Sequence, residues 1–107
     1  MKKELHKLVV EAIRAGRVWV SIHAVEGMEN CDLALESILD LAVRASTIEV
    51  EENFSYKRYR YPTCSINCMT KSGLIVCSVW VYNKETKWVK LSSVYFRKLW
   101  FRYRIRS

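Results

Sequence analysis

The spacing of apolar residues changes near residue 46, and this change constrains the fold more than any other feature of the sequence. Before residue 46, apolar residues recur at helical intervals, as in Leu5, Leu8, Val9, Ala12 and Ile13. After it, β-branched and aromatic residues dominate and the helical spacing disappears. Helices followed by a run of strands are typical of an α+β domain with its helices on one face of a sheet.

The first part of the chain predicts two helices. We expect a helix over 2–15 that ends at Gly16, because glycine favours the left-handed conformation that follows a helix. A short strand over 17–22 is then expected from alternating apolar residues. After His23, a short irregular or helical turn should lead through Met28 to Asp32. Asp32 is the predicted N-cap of a second amphipathic helix, with apolar residues Leu35, Ile38, Leu39, Ala42 and Val43.

The second part predicts strands over 47–52, 56–61, 63–69, 74–82 and 87–95, with a final strand near 99–105. The segment 74–81 is apolar at nearly every position, which indicates a central strand that is covered on both faces. A chain of 107 residues has the length of one domain. We therefore expect a single α+β domain over 1–107, with two N-terminal helices packed on one face of a twisted, mainly antiparallel sheet of about four to six strands.

Charge is distributed unevenly along the chain. The net charge is +7, with a net −4 over 1–52 and a net +11 over 53–107. A positive field over one part of a small domain attracts polyanions, of which nucleic acid is the commonest in cells. An acidic protein is the alternative partner, and basic residues that only solvate a surface are the alternative interpretation.

Two segments interleave cations with aromatic rings. In 56–61, arginine can bind phosphate through two hydrogen bonds and tyrosine can stack on an unpaired base. The segment 95–106 can turn Leu99, Phe101, Tyr103 and Ile105 towards the core. The predicted nucleic-acid contacts are Lys57, Tyr59 and Tyr61 in the first segment and Trp100, Arg102, Arg104 and Arg106 in the second. Alternatively, the first segment is an edge strand whose charges prevent aggregation.

His23 is the best candidate for proton transfer, because it follows the first predicted strand and imidazole titrates near neutral pH. It could abstract the 2′-hydroxyl proton of RNA or protonate a leaving oxygen without a metal. Alternatively, His23 only hydrogen-bonds locally or caps the turn. The other histidine, His6, is expected to be solvated on the polar side of the first helix.

No metal or other cofactor is expected. Cys64 and Cys68 fall on one predicted strand about 13 Å apart, too far to share a zinc ion. Glu49 and Glu51 should share a strand face that could hold Mg²⁺, although a solvated edge is the simpler interpretation. The sequence lacks an apolar run long enough to cross a membrane and a signal-peptide pattern, so we expect a cytoplasmic protein with reduced cysteines and no membrane partner.

Several short strings are similar to a family of small prokaryotic proteins of unknown function that is often regarded as related to the RelE and MqsR toxins. They are Ile22-His23-Ala24 with Met28, the helix near Asp32, Tyr61-Pro62 with Cys64, Lys71-Ser72-Gly73, Val79 to Asn83, and Val94-Tyr95. The sequence departs from the family at Gly27, where Arg is usual, and after Tyr95, where the usual Pro is absent.

The resemblance implies a RelE/MqsR-like fold and a metal-independent endoribonuclease toxin, similar to an mRNA interferase. Its partners would be RNA and a cognate antitoxin, of the type with a zinc ribbon and a helix-turn-helix. His23 matches the family's histidine, and Tyr95 its tyrosine, as a stacking group or proton donor. Arg58 and Arg60 would hold the scissile phosphate, with Lys57 nearby. The alternative is a non-catalytic module of the same fold that binds nucleic acid or protein.

Overall fold

The computed structural model describes residues 4–44, 47–54 and 61–97. Within these ranges the chain forms three helices and five strands, which confirms the α+β class. In chain order they are α1 (Glu4–Arg14), β1 (Val18–Val20), α2 (Ile22–Cys31), α3 (Leu35–Val43), β2 (Thr47–Asn53), β3 (Thr63–Met69), β4 (Ile75–Asn83) and β5 (Trp88–Phe96). The strands predicted over 56–61 and 99–105 lie outside the described residues.

The five strands form one sheet in the order β1-β5-β4-β3-β2. Strand β1 runs parallel to β5, whereas the other neighbouring pairs are antiparallel. Strand β4 is the middle strand and is buried along most of its length, which confirms the prediction of a central strand, although helices α1 and α3 lie on one of its two faces only. Every described strand except β1 thus follows the antiparallel order expected from the sequence.

Helices α1 and α3 pack against one face of this sheet and enclose the core. Helix α1 buries Leu5, Val9, Ala12 and Ile13, which lie on the predicted apolar stripe. At the centre of the core, Trp80 is fully buried and its indole nitrogen donates to the Ser78 hydroxyl at 2.9 Å. Trp80 thus satisfies its polar atom inside the core, as a buried tryptophan requires.

The prediction of only two helices was wrong, because residues 22–31 form a full helix. Ser21 caps α2 by accepting a hydrogen bond from the Ala24 backbone N–H at 3.0 Å. Asp32 is not an N-cap: it ends α2 in the left-handed conformation, with φ of 56°. Helix α3 begins after Ala34 instead, without a side-chain cap. Two short helices therefore replace the predicted turn and single helix.

Helix α2 continues the edge of the sheet where β1 stops. Strand β1 pairs with β5 only as far as Leu91. The next residue of the chain, Ser21, donates its backbone N–H to the Leu91 carbonyl at 3.1 Å and its hydroxyl to the Ser92 carbonyl at 2.9 Å. These bonds direct α2 along the remaining edge of β5.

Gly27 permits the close contact between α2 and β5. A Cβ atom at this position would lie 2.1 Å from the Val94 carbonyl oxygen, far inside van der Waals contact. Because that oxygen belongs to the backbone of the sheet, it cannot shift to make room for a side chain without disturbing the pairing of β5. A larger residue at position 27 would have to push the helix away from the strand.

None of the helices within the described ranges has the length and apolar character needed to cross a lipid bilayer.

Candidate functional site

The second face of the sheet, opposite α1 and α3, carries polar side chains in register across four strands. One row contains Glu49 on β2, Asn67 on β3, Cys77 on β4 and Tyr95 on β5. The adjacent row contains Glu51, Ser65, Val79 and Ser93. Tyr95 remains 49% exposed on this face. Of these rows, Tyr95, Glu49 and Glu51 are exposed, whereas Asn67 and Cys77 are buried between them.

A β-bulge directs Tyr95 to this face. The β4–β5 register shifts between Val79 and Trp80, so β5 has one extra residue there. Side chains alternate along a strand, and an extra residue reverses which of them face each side. Without the bulge, the alternation that buries Leu91 would also bury Tyr95. The bulge therefore places Tyr95 next to Cys77 on the second face.

Helix α2 forms a wall beside these rows. His23, Glu26, Gly27 and Asn30 lie at helical positions i, i+3, i+4 and i+7, which share one side of a helix. Together with Val79, Ser93, Val94 and Tyr95 they line a concavity of about 530 Å³, hereafter the α2 cleft. Gly27 contributes no side chain, so the middle of the wall is backbone.

His23 is accessible in the α2 cleft. Its side chain is 77% exposed, and its Nδ1 lies 3.9 Å from Oε1 of Glu26, one turn along the helix. An ion pair this exposed contributes little to stability. The exposed imidazole is within reach of a molecule bound in the cleft.

Tyr95 holds its proton tightly. A hydrogen bond with the Cys77 sulfur, followed by partial burial, raises the pKa of Tyr95 to about 12. Burial also raises the pKa of the Cys77 thiol above its usual value. Both groups are therefore neutral near neutral pH, and the phenol can act as a hydrogen-bond donor in the cleft.

At the far end of the first row, the Arg97 guanidinium pairs with Glu49. Glu49 and Glu51 do share one strand face and line a small concavity of about 140 Å³ with Arg97. The guanidinium offsets their charge, which disfavours a cation there. Among the residues that the structure describes, no group of three His, Cys, Asp or Glu side chains could hold a metal ion.

A second, more apolar concavity lies on the same face near the β4–β5 turn. The Trp19 and Trp88 rings pack with centroids 5.2 Å apart and planes tilted by 37°. This concavity of about 540 Å³, hereafter the tryptophan cleft, is lined by Trp19, Tyr61, Val81, Asn83, Thr86, Trp88, Val89 and Lys90. Trp19 is 63% exposed, so a large aromatic surface faces water.

The structure brings together two of the residues that the sequence singled out. His23 and Tyr95 line the same cleft although 71 positions lie between them in the chain. Tyr61 lines the tryptophan cleft, where its hydroxyl donates to Oε1 of Glu85 at 2.6 Å. The other predicted site residues lie outside the described residues: Lys57, Arg58, Tyr59, Arg60, Trp100, Arg102, Arg104 and Arg106.

Sequence reasoning missed Glu26, Asn30, Trp19, Trp88 and Lys90. The i, i+3, i+7 spacing of His23, Glu26 and Asn30 would have revealed the first two, had 22–31 been recognised as a helix. Trp19 and Lys90 become neighbours only through the parallel pairing of β1 with β5, which local sequence does not encode. His6 was also misplaced, since it is half-buried and its backbone N–H donates to Glu52 at 2.8 Å.

Comparisons with protein-family models, with curated proteins and with solved structures find no match for this chain. The similarity to the RelE and MqsR toxins thus stays a prediction that depends on the short strings given above.

Proposed function

We propose that the protein is a metal-independent endoribonuclease that cleaves RNA in the α2 cleft. The observation that carries this proposal is the joint lining of the cleft by His23 and Tyr95, which come from a helix and from the strand beside it. One side chain can accept a proton and the other can donate a hydrogen bond. Cleavage of RNA through its own 2′-hydroxyl needs both functions and no metal.

In the proposed reaction, His23 acts as the general base. It takes the proton of the RNA 2′-hydroxyl as that oxygen attacks the adjacent phosphorus. The bond from phosphorus to the 5′-oxygen breaks, which yields a 2′,3′-cyclic phosphate and a 5′-hydroxyl. The carboxylate of Glu26 lies 3.9 Å from Nδ1 of His23, beside the imidazolium that forms.

Tyr95 is the proposed donor to the leaving oxygen. Its pKa of about 12 keeps it protonated, yet an alkoxide is a stronger base than a phenolate and can take the proton. The tyrosinate is then reprotonated by solvent, and His23 releases its proton, so the enzyme returns to its starting state. The exposed half of the Tyr95 side chain makes this exchange possible.

The substrate phosphate needs cations as negative charge develops on it. Arg58 and Arg60 remain the proposed ligands, with Lys57 beside them. Position 27 cannot supply such a cation, because even a Cβ atom there would lie 2.1 Å from the Val94 carbonyl oxygen. A cognate antitoxin that covers the cleft remains the proposed protein partner.

The test is cleavage of a single-stranded RNA by purified protein in the presence of EDTA. We expect cleavage to persist in EDTA and to leave cyclic-phosphate ends. His23→Ala should reduce the rate about 100- to 10,000-fold, the usual contribution of a general base. Tyr95→Phe should reduce it about 100-fold, as for loss of one donor to developing charge.

Two variants serve as matched controls. Glu29→Gln changes an exposed residue of α2 that does not line the cleft, and Tyr82→Phe removes the hydroxyl of a buried tyrosine on the covered face. Both should cleave at the wild-type rate. Full activity of His23→Ala and Tyr95→Phe, or complete loss of cleavage in EDTA, would contradict the proposal.

A further inference from the structure

The tryptophan cleft combines aromatic surface with nearby positive charge. Trp19 on β1 is paired in register with Lys90 on β5, so their side chains emerge from neighbouring positions of the second face. Trp88 precedes Lys90 by one step on that face and packs against Trp19. The largest exposed ring of the described residues therefore stands beside an exposed ammonium group.

Further cations surround this end of the sheet. Arg17 directly precedes β1, and its Nε donates a hydrogen bond to the Lys87 carbonyl at 2.9 Å. Lys84 and Lys87 belong to the β4–β5 turn, where Glu85 is the only acid. Among the described residues, four cations and one carboxylate thus lie at this end of the sheet, whereas the opposite end of the same face holds Glu49 and Glu51. The field at the tryptophan cleft favours an anionic ligand.

An unpaired nucleotide matches this chemistry. Its base has a π face that stacks on tryptophan, and its phosphate is attracted to the lysine beside the ring. Asn83 also lines the cleft, and because its Oδ1 accepts from the backbone N–H groups of Glu85 and Thr86, its NH2 group is the part that can donate to the edge of a base. A neutral proline-rich peptide could pack on the tryptophan rings but would not be attracted by the positive charge. An acidic peptide would be attracted by the positive charge but has no flat base to stack on the rings.

We propose that the tryptophan cleft binds an unpaired base of a single-stranded nucleic acid, stacked on Trp19, with Lys90 holding the adjacent phosphate. The identification of that strand as the RNA substrate rests on the proposed function. The cleft would then be a subsite that positions the strand, and Trp19 would be a positioning residue rather than a catalytic one.

The two clefts are close enough for one strand to occupy both. Lys90 pairs with Val81, and Ser93 of the α2 cleft pairs with Val79. Val81 and Val79 are two residues apart on β4, a separation of about 7 Å. A strand that follows β5 would therefore pass from the tryptophan rings to His23 and Tyr95 within very few nucleotides.

The experiment measures binding separately from cleavage. A short single-stranded RNA with 2′-O-methyl riboses binds but lacks the attacking hydroxyl, so its affinity does not depend on catalysis. We expect it to quench tryptophan fluorescence, and we expect Trp19→Ala to weaken its binding about 5- to 100-fold, the range for loss of one stacked base. Trp19→Phe should keep most of the affinity, and Lys90→Gln should reduce its salt dependence.

Phe54→Ala is the matched control. Phe54 is 55% exposed and follows β2, at the opposite edge of the sheet from β1. Its loss should leave binding unchanged. Equal affinity of wild type and Trp19→Ala would overturn the proposal, as would tighter binding of an acidic or proline-rich peptide than of the oligonucleotide at the same cleft.

The outcomes separate this proposal from the endoribonuclease. Trp19-dependent binding without cleavage of ordinary RNA would support the subsite and overturn the enzyme. If cleavage depends on His23 but the affinity for the oligonucleotide does not change in Trp19→Ala, the result would support the endoribonuclease and overturn the proposed subsite.

Discussion

The two faces of the sheet are formed by the same strands but differ in the side chains that they carry. On the covered face, Ile66, Trp80 and Leu91 are fully buried against α1 and α3. On the second face, the same strands carry Ser65, Asn67 and Tyr95, of which Tyr95 is half-exposed and Asn67 is buried. The exposed members of the two rows, Glu49, Glu51 and Tyr95, are the groups that a bound molecule can reach.

Helix α2 takes part in both regions. Ala24, Met28 and Cys31 are buried, whereas His23 and Glu26 are exposed beside the second face. Because Gly27 holds the helix against β5, the stability of the edge and the shape of the α2 cleft depend on one contact. The core therefore fixes the sheet, and a single edge helix then creates the site.

The sharpest test of this division compares two tryptophans. Trp80→Ala should lower the free energy of unfolding by about 3–5 kcal/mol, because it removes a fully buried ring and leaves a cavity. Trp19→Ala should cost about 1 kcal/mol or less, since that ring is 63% exposed. Urea unfolding measures both. A similar decrease in unfolding free energy for the two variants would mean that Trp19 on the second face is packed as tightly as Trp80 in the core.

A second test concerns the edge helix. Gly27→Ala should destabilise the protein by about 1–3 kcal/mol, because the new methyl group would meet the Val94 carbonyl at 2.1 Å. Asn30→Ala, on the exposed side of the same helix, should change stability by about 0.5 kcal/mol or less. If Gly27→Ala matched the wild-type stability, the close approach of α2 to β5 would be refuted.

The smallest expected effect is the titration of Tyr95. Because its pKa is higher in the folded protein than its ordinary value of 10.0, the stability linked to its proton is present below pH 10 and is lost as the pH rises through about 12. The unfolding free energy of the wild type should therefore fall more steeply with pH over this range than that of Tyr95→Phe. Ultraviolet absorbance of tyrosinate, measured as the pH is raised, reports the ionisation of Tyr95 independently of stability.

In that titration, wild type and Tyr95→Phe should show equal tyrosinate absorbance near pH 10, because Tyr95 is still protonated there. Excess tyrosinate in the wild type at that pH would show that the Cys77 contact does not hold the phenol.

Much of the fold followed from local sequence patterns. The apolar stripe of α1, the left-handed Gly16 with φ of 76°, and strands β2 to β5 were predicted within one or two residues. The prediction for residues 22–32 was wrong because the local sequence does not determine where the helix begins. Ser21 and Asp32 both suit a helix cap, and the hydrogen bonds from Ser21 to β5, which decide between them, are long-range contacts.

The site was less predictable than the fold. His23 and Tyr95 could be singled out by residue type, but their joint cleft depends on the β5 bulge and on the Gly27 contact. Likewise, the Trp19–Lys90 pairing depends on a parallel crossover from β1 to β5. Such pairings are set by tertiary structure, so short-range patterns do not contain them.

The most direct test of the account is a map of amide chemical shifts during titration with the 2′-O-methyl RNA. We expect the largest changes in α2 from His23 to Asn30 and in β5 from Trp88 to Tyr95, with little change in α1 and α3. Changes concentrated in α1 or α3, or none in α2 and β5, would contradict the central claim that the second face and its edge helix bind the nucleic acid.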